Sequence, residues 1–328
     1  MTPLPSPTAP LKCVVGIDIA QDSFVACVGH ATLSQQLHFG KETTFANSAS
    51  GFAVLLSWVV KQHVSGSPLW FVVEATGVYY EELAYFLAAN QQLLSVLLPN
   101  KVKHFARSTE LKSKTDQLDA RLLCCLGLER ALPAWQPPTP ALRHLRALAR
   151  ERQVLVRQAA QLKTRAHAYQ HSYQSDSRTL TRLVAQHQLL ASQLKALDQD
   201  LTDLLKAEPE LARKLSQLTS IPGIGLTTAI VVVAETNGFI LVENERQLAS
   251  YAGLDVVQRQ NGLSAHATRI SRRGNLRLRT ALYLPAVSSL RCNPQQIAFF
   301  ARLRARQPSG KPGVIAVMRK LLVLCYSL

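Results

Sequence analysis

Short apolar runs alternate with amphipathic segments over residues 12 to about 130. Strands are predicted at Val14–Ile19, Ser23–Gly29, Leu37–Phe45, Leu69–Glu74 and Leu93–Leu98. Three-four spacing predicts helices at Ser48–His63, Tyr79–Ala89 and Lys101–Ser108, and another that begins near Asp116. Strands interleaved with helices in this way favour a layered α/β domain over residues 12–132.

The pattern changes at a Pro-rich stretch, residues 133–140, which predicts a linker. Residues 141–208 then repeat Leu, Ala and Val at three-four spacing, with Gln, Arg and Lys between them. This favours two long helices, as an antiparallel hairpin or coiled-coil arm, or else as part of an internal helical bundle. Residues 209–328 are predicted to form a third, mainly helical domain. Residues 1–11 are predicted to be a disordered lead and not a signal peptide.

The charge of the chain indicates a polyanionic partner. The 328 residues carry a net charge of +16, and the sequence pI is about 9.9. No acidic residue follows Asp255, and the same stretch is rich in arginine, so this part of the chain is strongly basic. Nucleic acid is a better match for such a surface than a membrane, and no apolar run approaches the ~18 residues of a membrane span. The six cysteines form no C-x-x-C pair and are predicted to be reduced.

Four acidic residues stand where a metal site could form. Asp18 and Glu74 lie at the ends of predicted buried strands, and Asp116 and Asp119 are three apart on one face of a predicted helix. Carboxylates that converge would repel one another unless a cation were bound, and oxygen ligands suit Mg²⁺ or Mn²⁺. Asp116 and Asp119 could instead stabilise a helix N-terminus, for which Thr115 is an equally suitable cap.

Several other residues could contact nucleic acid or take part in the chemistry. Arginines in a cluster and backbone N–H groups exposed by glycines are both typical phosphate contacts. His104 and His266 could be general acids, and Tyr79 and Tyr80 could stack on a base, although packing roles are commoner for such residues. The candidate phosphate contacts are Lys112, Lys114, Gly223, Gly225, Arg269, Arg272, Arg273 and Arg277.

Taken in order, the motifs resemble those of one family. The chain contains GID, VEATG and KTDQLDA, and after the helical segment IPGIG, AGL, RISRRGN and VMRKL. This order resembles the DEDD transposases, which include Piv-type DNA invertases and bridge-RNA-guided insertion-sequence recombinases. The resemblance implies a RuvC-like domain of the ribonuclease H fold, with Asp18, Glu74, Asp116 and Asp119 as its metal ligands. It also implies a coiled-coil arm used in assembly, and a C-terminal transposase domain with a serine nucleophile.

The resemblance further implies partners and a location. Members of this family act on DNA as oligomers, here a dimer or tetramer, and many are guided by a structured RNA. The expected location is the bacterial cytoplasm, in association with the nucleoid.

The chain departs from the family at the nucleophile. The family has Ser-Gly after the AGL segment, whereas this chain has Asn261-Gly262. An amide has no hydroxyl to ionise, so Asn261 cannot be the nucleophile. Either Ser264 replaces the missing serine, or Asn261 marks an inactivated copy, or Ser271 is the residue that matters.

Other functions remain open on the sequence alone. A RuvC-like endonuclease would use the acids with water and no serine. A catalytically inactive relative that only binds nucleic acid would need neither the acids nor a serine. An actin-like ATPase could use Gly16-Ile17-Asp18 as a first phosphate loop, but no second Asp-x-Gly loop follows.

Overall fold

A computed structural model describes residues 10–63, 67–109, 115–173, 176–258, 260–261, 264–265, 269–306 and 309–328. Side chains are not described at residue 10, at residues 259–268 or at residue 306. Most of the predicted lead lies outside these ranges, as do Lys112, Lys114 and His266. The chain divides into two compact units, Met1–Pro137 and Pro138–Leu328, and the division falls within the predicted Pro-rich linker.

The first unit is a mixed sheet with helices, as the alternating pattern predicts. Its elements are β1 (Pro10–Ile19), β2 (Ser23–Thr32), β3 (Leu37–Phe39), β4 (Thr43–Ala46), α1 (Ala49–Gln62), β5 (Leu69–Glu74), α2 (Glu81–Ala89), β6 (Leu93–Leu97), α3 (Pro99–Ser108) and α4 (Asp116–Glu129).

The sheet has the order β3-β2-β1-β5-β6, with β4 also paired to β2. Strands β1, β5 and β6 are parallel, and β1, β2, β3 and β4 are joined by antiparallel pairs. The prediction of a single strand over Leu37–Phe45 was wrong. Strand β3 pairs with the end of β2 and β4 pairs with its beginning, and the segment that starts at Gly40 between them is not a strand.

Each face of the sheet has its own core. One contains Val15, Ile17, Phe71 and Val73 and packs against helices α1 and α2. The other contains Val14 and Val72 and packs against α3 and α4. The alternation of successive side chains between faces therefore decides which strand residues meet α4.

Helix α4 approaches β1 very closely. A Cβ atom added at Gly16 would lie 2.2 Å from both the Ala120 oxygen and the Cys124 nitrogen. At the other end of the helix, a Cβ atom at Gly127 would lie 2.7 Å from Val14. Since the numbering rises along α4 as it falls along β1, the two elements run antiparallel, and the first turn of α4 lies towards the carboxyl end of β1.

The second unit is mainly helical. Its elements are α5 (Pro140–Gln170), α6 (Ser177–Ala207), α7 (Pro209–Thr219), α8 (Leu226–Glu235), α9 (Glu245–Tyr251), β7 (Val256–Val257), β8 (Gln260–Asn261), β9 (Ser264–Ala265), β10 (Arg269–Ile270), α10 (Leu276–Cys292), α11 (Pro294–Arg306) and α12 (Gly310–Tyr326).

Helices α5 and α6 form an antiparallel hairpin. Arg152 on α5 contacts Asp198 on α6 at 2.7 Å, and Leu162 lies beside Leu189 nearer the connection. The base of the hairpin is part of the main core, since Leu145 and Leu201 are buried in the same cluster as helices α7 to α10 and α12. The arm and the C-terminal helices therefore share one core.

Candidate active site and nucleic-acid interface

Asp18 and Glu74 lie next to each other where the parallel strands β1 and β5 end. We call this end of the two strands the acidic edge of the sheet. Ile17 pairs with Val73 in the parallel ladder of β1 and β5, and Asp18 and Glu74 are the next residue on each strand. Both side chains are half-buried. Asp18 shares a face with Gly16, and Glu74 shares a face with Val72, so both project on the side covered by α4.

The first turn of α4 brings Asp116 and Asp119 to the same edge. Thr115 is the N-cap, and its hydroxyl oxygen accepts a hydrogen bond from the Leu118 N–H at 3.2 Å. Asp116 is exposed and Asp119 is half-buried. The capping interpretation is correct for Thr115, and both acids lie in the first turn of α4.

The donor chemistry of these four residues fits a hard cation, because all of their side-chain ligands are oxygens. Within the described part of the chain, no three His, Cys, Asp or Glu side chains are close enough together to hold one metal ion. The backbone places Asp18 beside Glu74 and directs the first turn of α4 towards the same end of β1, without closing the four side chains into a ligand set.

Asn47 is a residue of this region that no motif indicated. Its Nδ2 atom donates to the Ala20 oxygen at 2.9 Å, the Gln21 oxygen at 3.2 Å and the Tyr79 oxygen at 3.2 Å. The first two acceptors follow Asp18, and the third lies in the loop after Glu74. Asn47 thus ties together the loops that leave the two acidic strand ends. A lone Asn between a strand and a helix gives no sequence signal of such a contact.

In the second unit, the candidate nucleophiles lie on a small β-hairpin. Asn261 on β8 pairs directly with Ser264 on β9. Strands β7 and β10 pair nearer the core, with Val257 opposite Arg269. Residues paired in an antiparallel ladder have Cα atoms about 4.5–5.5 Å apart. The backbone of Ser264 is therefore directly across from that of Asn261.

Ser271 forms hydrogen bonds at the base of this hairpin. Its hydroxyl donates to Asp255 Oδ1 at 2.5 Å, and its N–H donates to the Asp255 oxygen at 2.9 Å. The Ser271 hydroxyl oxygen, Oγ, also accepts a hydrogen bond from the Arg273 N–H at 3.2 Å. These contacts give Ser271 a structural role in the turn that follows β10.

The AGL and RRGN motifs pack against each other. A Cβ atom at Gly274 would lie 2.4 Å from the Tyr251 oxygen and 2.6 Å from the Gly253 nitrogen. Arg279 donates to the Ala252 oxygen at 2.7 Å. Arg272 has a positive φ of 55°. This tight contact presents a cluster of exposed side chains, namely Arg269, Arg272, Arg273 and Arg277.

A buried carboxylate lies beneath that arginine cluster. Glu235 is 3% exposed and accepts hydrogen bonds from Arg150 at 2.8 and 3.0 Å and from Asn275 at 2.7 Å. Burial raises the pKa of Glu235, but the hydrogen bonds from Arg150 and Asn275 outweigh it and hold the pKa below its usual value. Asn275 also caps α10 by accepting from the Leu278 N–H. The network therefore joins helices α5, α8 and α10.

The two glycines of the IPGIG turn differ in their surroundings. Gly223 has a φ of +103°, and a Cβ atom there would lie 2.8 Å from the Cβ atom of Ser289. Backbone conformation and packing on α10 are thus sufficient reasons for a glycine at this position. An added Cβ atom at Gly225 meets nothing within 4 Å, and Gly225 is the N-cap of α8.

The remaining candidates, His104, Tyr79 and Tyr80, lie on α3 and just before α2. His104 is exposed on α3, Tyr79 is 41% exposed, and Tyr80 is partly buried against the core beside α1 and α2. No disulfide joins the six cysteines, all of which lie in the described part of the chain. Among the helices that the structure describes, none has the length and apolar character to cross a membrane.

Comparison with known proteins assigns the family. Residues 15–174 match the DEDD transposase family of IS110, and residues 215–301 match the transposase IS116/IS110/IS902 family. The chain is 34% identical over 325 residues to the pilin gene-inverting protein of Moraxella lacunata, covering 96% of this chain and 95% of that protein. The corresponding protein of Moraxella bovis is 33% identical over 325 residues, with the same coverage of each chain. The transposase for insertion sequence element IS1111A of Coxiella burnetii is 35% identical over 92 residues, 28% of this chain and 25% of that protein. The chain belongs to the DEDD transposases of the IS110 family, as its motifs predict, and is by that membership a DNA transposase or recombinase.

Proposed function

We propose that this protein cuts and rejoins DNA at the ends of an insertion sequence, with a divalent metal site in the first unit and a serine nucleophile in the second. The observation that supports the proposal is that Asp18 and Glu74 end neighbouring parallel strands, while the first turn of α4 lies towards the same end of β1. A sugar-kinase- or actin-like ATPase has no comparable use for the acidic first turn of α4.

The first unit would be a ribonuclease H-like, RuvC-type domain. Its sheet supports this, because β1, β5 and β6 are parallel, β1 to β4 are joined by antiparallel pairs, and helices cover both faces. Asp18, Glu74, Asp116 and Asp119 would hold Mg²⁺ or Mn²⁺. When bound, the metal would stabilise the negative charge that develops at phosphorus. Lys112 and Lys114 precede Asp116 and Asp119 in sequence and would contact the DNA phosphate.

Ser264 is the proposed nucleophile. Its backbone lies opposite Asn261 in the β8–β9 pair, so its hydroxyl would stand in for the serine of the family. In the cutting step, a bond forms between Ser264 Oγ and phosphorus as the hydroxyl gives up its proton. One phosphorus–oxygen bond of the DNA strand breaks, and the leaving oxygen takes up a proton, so none is gained or lost overall. Attack on this phosphoserine by a DNA hydroxyl reverses the exchange and rejoins the strand.

The arginines beside the hairpin would hold DNA or RNA phosphates. Arg269, Arg272, Arg273 and Arg277 are exposed around the N-terminus of α10, and Gly225 leaves the start of α8 open. A structured guide RNA is a further proposed partner. Charge supports it, since no acidic residue follows Asp255.

The α5–α6 hairpin would serve assembly into a dimer or tetramer as a coiled coil. Apolar side chains exposed along it support this role, including Val154 at 47%, Val184 at 44% and Leu189 at 58%. The protein would then act at the bacterial nucleoid. Sedimentation of the purified chain with shortened arms tests this part of the proposal.

The test is recombination at the native element. Wild type, Asp18→Asn, Ser264→Ala and Asn261→Ser would each be expressed with the flanking DNA, and new junctions would be detected by PCR. We expect junctions from wild type and none from Asp18→Asn or Ser264→Ala. Junctions from Ser264→Ala would remove Ser264 as nucleophile. Junctions from Asn261→Ser alone would identify this chain as an inactivated recombinase that keeps its nucleic-acid surface.

A further inference from the structure

Helix α3 carries a cationic surface that no motif of the chain includes. Lys101, Lys103, His104 and Arg107 are all exposed, and α3 contains no acidic residue. The opposite side of the helix is apolar, with Val102 and Phe105 buried in the core beneath α4. Lys103 and Arg107 are four residues apart, and His104 and Arg107 are three apart, so these three side chains lie on one helical face.

The position of α3 relates this surface to the candidate active site. Glu74 pairs with Leu97 at the end of β6, and the Ala75 N–H donates to the Leu97 oxygen at 2.8 Å. Helix α3 begins two residues later, at Pro99. A ten-residue helix is about 15 Å long. Because α3 begins near the acidic edge, the backbone positions of its cationic residues all lie within about that length of its start.

The spacing of the cations suits a nucleic-acid strand. Lys103 and Arg107 are about 6 Å apart along the helix axis, which is about two 3.4 Å steps of one DNA strand. Arg130 lies over the Phe105 ring at 5.5 Å and adds a further exposed cation beside the helix. Among the described residues, none of these cations forms an ion pair.

We infer that this face of α3 is a docking surface for the backbone of the DNA strand that is cut at the acidic edge. The inference rests on the proposed function, because the commitment to DNA comes from the nearness of the surface to Asp18 and Glu74. Bound DNA would supply the counter-charge that the exposed face lacks. The contacts would be to phosphates and would hold the strand in place without reading its sequence.

The test is the salt dependence of DNA binding by the full chain, in an Asp18→Asn background so that the DNA stays intact. Loss of two phosphate contacts should reduce the slope of log K against log salt by about 1.8. We expect this reduction, and about ten-fold weaker binding at moderate salt, for Lys103→Gln with Arg107→Gln. The charge-preserving pair Lys103→Arg with Arg107→Lys should keep the slope of the parent protein.

Lys61→Gln is the matched control, because Lys61 is an exposed lysine in the last turn of α1, on the other face of the sheet. An unchanged slope in the double Gln variant overturns the inference. So does a loss of RNA binding with DNA binding intact, since the surface would then serve RNA.

The proposed function is judged separately by cleavage. DNA cutting that continues in Asp18→Asn would contradict the metal site and leave the binding result on α3 unaffected. Asp18-dependent cutting together with an unchanged slope would retain the function and reject the α3 surface.

Discussion

Arg150 on α5 holds the buried carboxylate of Glu235 on α8 through two hydrogen bonds, at 2.8 and 3.0 Å. The side chain of Glu235 is 2% exposed and that of Arg150 is 44% exposed. Asn275 completes the site from the start of α10. The contact therefore ties the base of the helical hairpin to α8 and, through Asn275, to the start of α10.

Replacing Arg150 with Met should destabilise the protein, because it leaves a buried carboxylate without its cation. Removing one partner of a fully buried pair costs about 3–5 kcal/mol, and the partial exposure of Arg150 reduces the expected loss to about 2 kcal/mol. Urea unfolding at neutral pH measures the change. Arg152→Met removes the more exposed pair with Asp198 and should cost less than about 1 kcal/mol. Equal losses in the two variants would contradict the special role of Glu235.

The same pair should make stability depend on pH. Because the folded pKa of Glu235 is depressed, its contribution to stability is present above the unfolded pKa of about 4.5 and is lost as the pH falls through the folded pKa. The gap between wild type and Arg150→Met should thus be full at neutral pH and shrink below about pH 4.5. Unfolding measured from pH 7 to pH 3 checks this, and a gap that widens in acid would reverse the assignment.

Gly16→Ala should displace α4 from the sheet. The new methyl group would meet backbone atoms of Ala120 and Cys124 at 2.2 Å, and backbone cannot move aside as a flexible side chain can. We expect a loss of about 3 kcal/mol or more, at the upper end of overpacking effects. Gly40→Ala is the control, since its nearest neighbour, the Val28 oxygen, is 3.4 Å away. Thermal unfolding of the two variants side by side gives the comparison.

Mg²⁺ should stabilise the wild-type chain against heat. A ligand that binds only the folded state at 100 times its Kd contributes about 2.7 kcal/mol. In Asp18→Asn one carboxylate is lost, so the rise in Tm with Mg²⁺ should largely disappear. Calorimetry with Mg²⁺, Mn²⁺ and Na⁺ at matched ionic strength separates specific binding from screening. The same rise in both proteins would place any bound metal elsewhere.

Asn47→Asp should disturb the acidic edge from a distance. The new carboxylate cannot donate to the Ala20 and Tyr79 oxygens and would repel them. We expect the Mg²⁺ concentration for half-maximal cleavage to rise about ten-fold, equivalent to about 1.4 kcal/mol. Asn90→Ala is the control, because Asn90 donates only within its own helix end, to Phe86 and not to the two loops. An unchanged Mg²⁺ requirement with a lower Tm would reduce Asn47 to a structural role.

The sequence by itself determined the local elements of the first unit. Apolar runs define β1 and β5, and Thr115 caps α4 as its residue type predicts, because strand and helix periodicities and caps depend on nearby residues. The metal role of Asp18, Glu74, Asp116 and Asp119 stays a prediction. The motif order also identified the family, since the two family matches cover residues 15–174 and 215–301.

Only the tertiary structure decided which residues meet. The antiparallel approach of α4 to β1 depends on Gly16, and the pairing of Asn261 with Ser264 depends on a hairpin register. Glu235 reads in sequence as the polar end of an apolar segment, yet its partners are 85 and 40 residues away. Contacts of this kind join side chains from separate elements, and local periodicity carries no information about them.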